Sequence, residues 1–218
     1  MGRRILVAGR HRELTLQLVS GAFSQGSEVW ALVEPRTSSE LASDLADLEG
    51  PQQIVWNSRS PFSARGALTR LRSDEKSLDE AVVVFSPLRD VTAFHELSAA
   101  KIEETVDYHL KGSLFLLKEL LTLFEAQNGG TLTLVSYDQG EDYLSPLDAL
   151  VRSALLGIAD SLFAGYDGSR ILIRGYRSSG TEPAAFAEYA LAAHREKPQK
   201  SAGKWHRYTG KSGLFSLG

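Results

Sequence analysis

Short runs of β-branched and aliphatic residues alternate along the chain with longer stretches whose apolar positions return every three or four residues. That alternation is the pattern of repeated βα units. The runs Arg4 to Ala8, Glu28 to Val33, Gln53 to Trp56, Ala81 to Phe85, Thr131 to Ser136 and Arg170 to Arg174 predict strands, and Trp205 to Leu217, interrupted at Gly210, predicts another. Consecutive apolar positions suit strands covered on both faces, as in a parallel sheet. The expected fold class is therefore α/β: a doubly wound, mainly parallel sheet of about seven strands with helices on both faces, forming one domain over residues 1–218.

Helices are predicted at Glu13 to Ser24, Ser38 to Leu48, Ser63 to Arg72, Phe94 to Phe124, Ser145 to Tyr166 and Pro183 to Arg195. The first stops at Gln25 and Gly26, where glycine takes the left-handed conformation that ends a helix. The fourth ends in the loop sequence Gln127-Asn128-Gly129-Gly130, and Ser145-Pro146 opens the fifth.

Composition narrows the function classes. The net charge is −3 and the basic residues are dispersed, which argues against a nucleic-acid partner. There is no cysteine, hence no disulfide, thiolate metal site or cysteine nucleophile. The five histidines are scattered, with no i, i+4 pair, so no metal site is expected. His95 and His194 read as surface residues, and Trp30 and Trp56 as core or sheet-edge aromatics. The opening apolar run ends at Gly9, too short for a signal-peptide core or a membrane span, and the expectation is a cytoplasmic protein without membrane contact. Thr209-Gly210-Lys211-Ser212 ends like a P-loop, but Trp205 stands where the first glycine belongs.

The order and spacing of several turns resemble the short-chain dehydrogenase/reductase family over nearly the whole chain. In its glycine-rich first turn, Thr-Gly-x-x-x-Gly-x-Gly, this sequence has Ala8-Gly9-Arg10-His11-Arg12-Glu13-Leu14-Thr15, keeping the first glycine alone. Such glycines let the backbone approach a pyrophosphate at the helix N-terminus. Glu13 reads as an ordinary first-turn carboxylate, stabilised by the helix dipole, while Arg10 and Arg12 could attract a phosphate. Glu34 and Arg36, after the second strand, lie where the family separates a ribose hydroxyl from a 2'-phosphate, and carrying one of each they do not choose. Asn57 matches the adenine-contacting position. Phe85-Ser86-Pro87-Leu88 replaces the family's Asn-Ala-Gly and takes up room for the nicotinamide half. The cofactor positions implied by the resemblance are thus Gly9, Arg10, Arg12, Glu34, Arg36, Asn57 and Ser86, and the cofactor expectation is none, or weak NAD(P).

The catalytic set implied by the resemblance is altered as well. Asp107-Tyr108-His109-Leu110-Lys111-Gly112 resembles the family's Asn-Leu-x-Gly and puts His109 on the asparagine. Ser136 matches the catalytic serine. The register of Asp148-Ala149-Leu150-Val151-Arg152 against Gly157 puts Asp148 on the tyrosine and Arg152 on the lysine. The family's tyrosine exchanges the substrate proton and its lysine lowers the tyrosine pKa; an aspartate beside an arginine would be held ionised instead. Tyr143 serves as the acid only if the preceding loop is rebuilt. Ser136, His109 and Asp148 are also the ingredients of a hydrolytic triad, but Ser136 lacks the Gly-x-Ser-x-Gly elbow.

The helices 94–124 and 145–166 are apolar nearly all round, and such helices need cover beyond one sheet face. They correspond to the resembled family's common dimer interface, so a homodimer is expected, with burial inside one chain as the alternative. Two functional readings stand side by side. One is a catalytically degenerate dehydrogenase-like protein acting as a binding, regulatory or self-associating scaffold, with an unidentified protein partner. The other is an atypical NAD(P)-dependent oxidoreductase on a small carbonyl or alcohol, supported by Gly9, Arg36, Asn57 and Ser136.

Overall fold

The computed structural model describes residues 2–34, 39–72, 76–86, 92–138, 144–192 and 201–210. Its strands are β1 (Arg4–Ala8), β2 (Glu28–Val33), β3 (Gln52–Val55), β4 (Glu80–Phe85), β5 (Gly130–Tyr137), β6 (Ile171–Ser178) and β7 (Trp205–Tyr208). They form one sheet in the order β3-β2-β1-β4-β5-β6-β7, and every pairing is parallel. The doubly wound architecture expected from the sequence is the one observed.

Alternate residues of each strand feed two cores. Leu6, Ala8, Trp30, Leu32, Val83 and Phe85 face one layer, built by α3 (Pro61–Leu71), α5 (Gly112–Ala126) and α6 (Pro146–Gly165). Ile5, Val7, Val29, Ala31, Val82 and Val84 face the other, built by α1 (Arg12–Ser24), α2 (Ser39–Ala46) and α7 (Pro183–Ala192). With both faces covered, nearly every central-strand position is apolar.

A buried polar cluster interrupts that rule and ties three strands together. Glu80 of β4 and Arg174 of β6 are fully buried, with Arg174 Nη2 donating to Glu80 Oε1 at 2.9 Å. Thr133 of β5 sits between them, donating to Glu80 Oε1 and accepting from Arg174 Nε. Arg3 Nη2 donates to the other Glu80 oxygen at 2.7 Å.

The long helix expected over Phe94 to Phe124 is broken. A single 3₁₀ turn covers Phe94–Glu96, and the chain then runs extended through Leu97 to Ser98. The Ser98 side chain accepts from Lys101 N and starts α4 (Ala99–Thr105). A π-helical stretch, Val106–Lys111, joins α4 to α5 without a gap, and such widened turns recur at functional sites. β6 runs four residues past its expected end at Arg174, because that arginine is neutralised inside the sheet. The predicted seventh strand ends at Tyr208, and residues 211–217 lie outside the described ones.

Most of the apolar surface on α5 and α6 is covered within the chain; Leu114 and Leu150 stay exposed. Among the described residues, no helix is long and apolar enough to cross a membrane, and no cluster of His, Asp and Glu could hold a metal ion.

Candidate functional site

Strand order reverses at β1, which pairs with β2 on one side and β4 on the other. In open α/β sheets, ligands bind in the crevice outside the carboxyl ends of the strands at such a reversal. Here the crevice is framed by the β1–α1 turn, the end of β2, the end of β4 and the start of α5, and encloses about 40 Å³.

Gly9 opens the turn because nothing larger fits. A Cβ there would stand 2.6 Å from Thr15 Oγ1 and 2.9 Å from Val84 Cβ. Thr15, on the family's third glycine position, is buried against Gly9, so the retained glycine makes room for the replaced one. The next residue, Arg10, reaches across the crevice. Its Nη2 donates to Glu34 Oε1 at 3.0 Å and to the Tyr108 carbonyl at 2.8 Å, and its guanidinium lies 4.2 Å from the centre of the Tyr108 ring. Arg10 thereby joins the ends of β1 and β2 to the π-helical turn. Its Nη1 also stands 3.5 Å from His109 Nδ1. Arginine can only donate, so this contact favours a neutral imidazole with its proton on Nε2. Burial, then Arg10 and then Lys101, push the His109 pKa down to about 3.

The N-terminus of α1 is closed by its own chain. His11 is the N-cap, and its Nδ1 accepts from Leu14 N at 3.1 Å. The His11 ring packs edge-on against Tyr137 at the end of β5, centroid to centroid 4.9 Å. The cap is thus His11, and Glu13 lies in the first turn behind it. Arg12 turns away to α2, taking Asp44 with both Nε (2.5 Å) and Nη2 (3.0 Å) and Glu40 with Nη1 (3.0 Å). The hydrogen bond to Asp44 raises the Arg12 pKa above its ordinary value and lowers that of Asp44.

Asn57 is exposed and serves a turn: its Oδ1 accepts from Arg59 N at 3.1 Å, just before α3. Arg36 and Tyr143 lie outside the described residues. Ser86, Ser136, Asp148 and Arg152 converge on one small cavity of about 10 Å³ between β4, β5 and α6. His109 is held by Arg10 instead, so the three triad residues do not form a relay.

Asp148 and Arg152 do not pair with each other as expected. Ser145 caps the N-terminus of α6 and holds Asp148: its Oγ accepts from Asp148 N at 3.2 Å and donates to Asp148 Oδ2 at 2.9 Å. Arg152 Nε and Nη2 grip Asp138 at 2.9 and 2.6 Å. Sequence reasoning missed Asp138, Tyr108 and His11. The Ser-x-x-Asp spacing of Ser145 and Asp148 was a signal for the cap.

No protein-family model and no curated protein sequence matches this chain. Solved structures do. A short-chain type dehydrogenase/reductase from Mycobacterium ulcerans superposes with a TM-score of 0.79 at 12% identity, over 94% of this chain and 87% of that one. RhlG of Pseudomonas aeruginosa, determined as an NADP active-site complex, gives 0.76 at 15% identity over 98% of both chains. BdcA from E. coli gives 0.70 at 17% identity over 95% of this chain and 98% of that one. The fold is therefore that of the short-chain dehydrogenases/reductases.

Proposed function

We propose that this chain is a divergent short-chain dehydrogenase/reductase whose nucleotide crevice and proton-transfer residues have been turned to holding its own structure, and that it acts as a binding or self-associating scaffold. The observation that carries the reading is Arg10, which spans the crevice and whose Nη2 donates to both Glu34 and the Tyr108 carbonyl. A dinucleotide seated there would have to displace a guanidinium from a carboxylate that is 5% exposed, breaking a charge pair that is largely shielded from water. The α1 N-terminus, where a pyrophosphate would dock, already caps itself through His11. At the tyrosine position, Asp148 is bound to Ser145, the N-cap of α6, through both its backbone N–H and its carboxylate. These residues do not fit NAD(P) in the arrangement they adopt.

Exposed Leu114 and Leu150 on α5 and α6 support self-association through these helices. A cytoplasmic homodimer is the corresponding proposal.

The test is a calorimetric titration with NADH and NADPH, with melting temperature followed in parallel, since a ligand that binds only the folded state must raise it. The expected result is no heat and no shift at about 1 mM cofactor. Micromolar binding by either cofactor would overturn the reading in favour of an atypical reductase, and would call for a carbonyl and alcohol screen with Ser136→Ala as the control.

A further inference from the structure

At the carboxyl ends of β6 and β7, Arg177 and Arg207 are register partners on adjacent parallel strands. Their backbones stand about 4.8 Å apart and their side chains leave the sheet on one face. That face belongs to α6, because Trp205, two residues before Arg207, packs on Phe163 of α6. The helix adds a third guanidinium, Arg152. With Asp138, Ser178 and Ser179, the three arginines line a cleft of about 360 Å³.

Like charges placed directly across two strands are destabilising. Among the described residues one carboxylate answers these three cations: Asp138, gripped by Arg152. Arg177 has the Trp205 ring 5.6 Å from its guanidinium, and neither Arg177 nor Arg207 makes an ion pair among the described residues. Among the described residues, three guanidinium groups against one carboxylate leave two positive charges facing one cleft.

We propose that this cleft binds the dianionic phosphate of a small phosphomonoester. A phosphomonoester carries roughly −1.5 to −2 charges near pH 7, which matches the excess, and the planar guanidinium fork pairs with phosphate oxygens two at a time. The volume falls within the range of roughly 300 to 1,000 Å³ for small-molecule pockets, so an organic portion fits beside the phosphate. Strand ends are where such sheets place ligands, and this cleft lies at the β6–β7 side of the sheet, away from the crevice that Arg10 crosses. The site stands whether or not a dinucleotide binds at β1.

The test titrates the full chain with inorganic phosphate by calorimetry, ionic strength being held constant with chloride. Wild type is expected to bind. Arg207→Gln is expected to weaken binding about ten- to a hundredfold, the worth of one or two charge-assisted hydrogen bonds, and Arg12→Gln to leave it unchanged. Without phosphate, Arg207→Gln should melt at or above the wild-type temperature, because one of two abutting like charges is gone; a purely structural arginine would lower it. Three results would overturn the proposal: no phosphate heat from wild type at about 10 mM, unchanged affinity in Arg207→Gln, or equal weakening in Arg12→Gln, which would put the anion at α1.

Discussion

Replacing Glu80 with glutamine removes one charge from the centre of the sheet and little else. The amide keeps the shape and an oxygen for Thr133, while Arg174, fully buried, loses the carboxylate that Nη2 reaches at 2.9 Å. On the Arg3 side, an amide NH₂ would meet the Nη2 group that now donates to Glu80 at 2.7 Å. Breaking a buried pair by removing one partner costs about 3–5 kcal/mol, because the remaining charge stays desolvated. For a chain of this size that lowers the melting temperature by roughly 6–20 °C, at about 2–4 °C per kcal/mol. Arg174→Met should cost less, since Glu80 still has Arg3 and Thr133. The double variant Glu80→Gln/Arg174→Met should then be more stable than the sum of the single losses predicts, by about 2 kcal/mol. Urea unfolding followed by tryptophan fluorescence measures all four proteins. A loss under about 1 kcal/mol in Glu80→Gln, or strictly additive losses, would refute the claim that this pair is desolvated and coupled.

His109 has its pKa lowered from 6.5 to about 3 by burial and by Arg10 and Lys101. The contribution is therefore complete above pH 6.5 and is lost as the pH falls toward 3, so wild type should lose about 1–2 kcal/mol more than His109→Gln between pH 7 and pH 5. Identical pH dependence of the urea midpoint in the two proteins would contradict this. Gly9→Ala places a Cβ 2.6 Å from Thr15 Oγ1 and 2.9 Å from Val84 Cβ, and should destabilise by about 1–3 kcal/mol through overpacking; a midpoint equal to wild type would show that the turn yields.

Strand positions were legible because both sheet faces are covered, so a strand announces itself as an unbroken apolar run; β1 and β2 run as expected from Arg4 to Ala8 and from Glu28 to Val33. The second half of β6 was hidden for the opposite reason. Arg174 looks like a strand end in sequence, and only the partner ninety-odd positions away, Glu80, makes it an interior residue. The break near Leu97 and Ser98 was also unseen, since apolar period continues through it and only the Ser98 cap marks the restart of the helix. At the site, alignment brought Ser86, Ser136, Asp148 and Arg152 to one cavity. It could not assign their partners. Asp138 and Asp148 are both near Arg152 in sequence, and which carboxylate the guanidinium grips depends on Asp148 being held by the capping hydroxyl of Ser145.

The crevice and the α6 N-terminus share one logic. A helix N-terminus attracts an anion, a strand-end carboxylate attracts a hydroxyl or a cation, and a lysine-like residue on α6 attracts an acid. In this chain each attraction is met from within: His11 for the α1 amides, Arg10 for Glu34, Asp138 for Arg152 and Ser145 for Asp148. An internal partner pays no translational cost to be present, whereas a free ligand pays several kcal/mol before any contact counts. A dinucleotide entering the crevice must therefore outbid Arg10 and His11 together, at two points along its own length. Arg177 and Arg207, two cations that make no ion pair among the described residues, stand at the β6–β7 side of the sheet. The physical case for an outside ligand is strongest where internal neutralisation stops, and that is beside β7 rather than at β1.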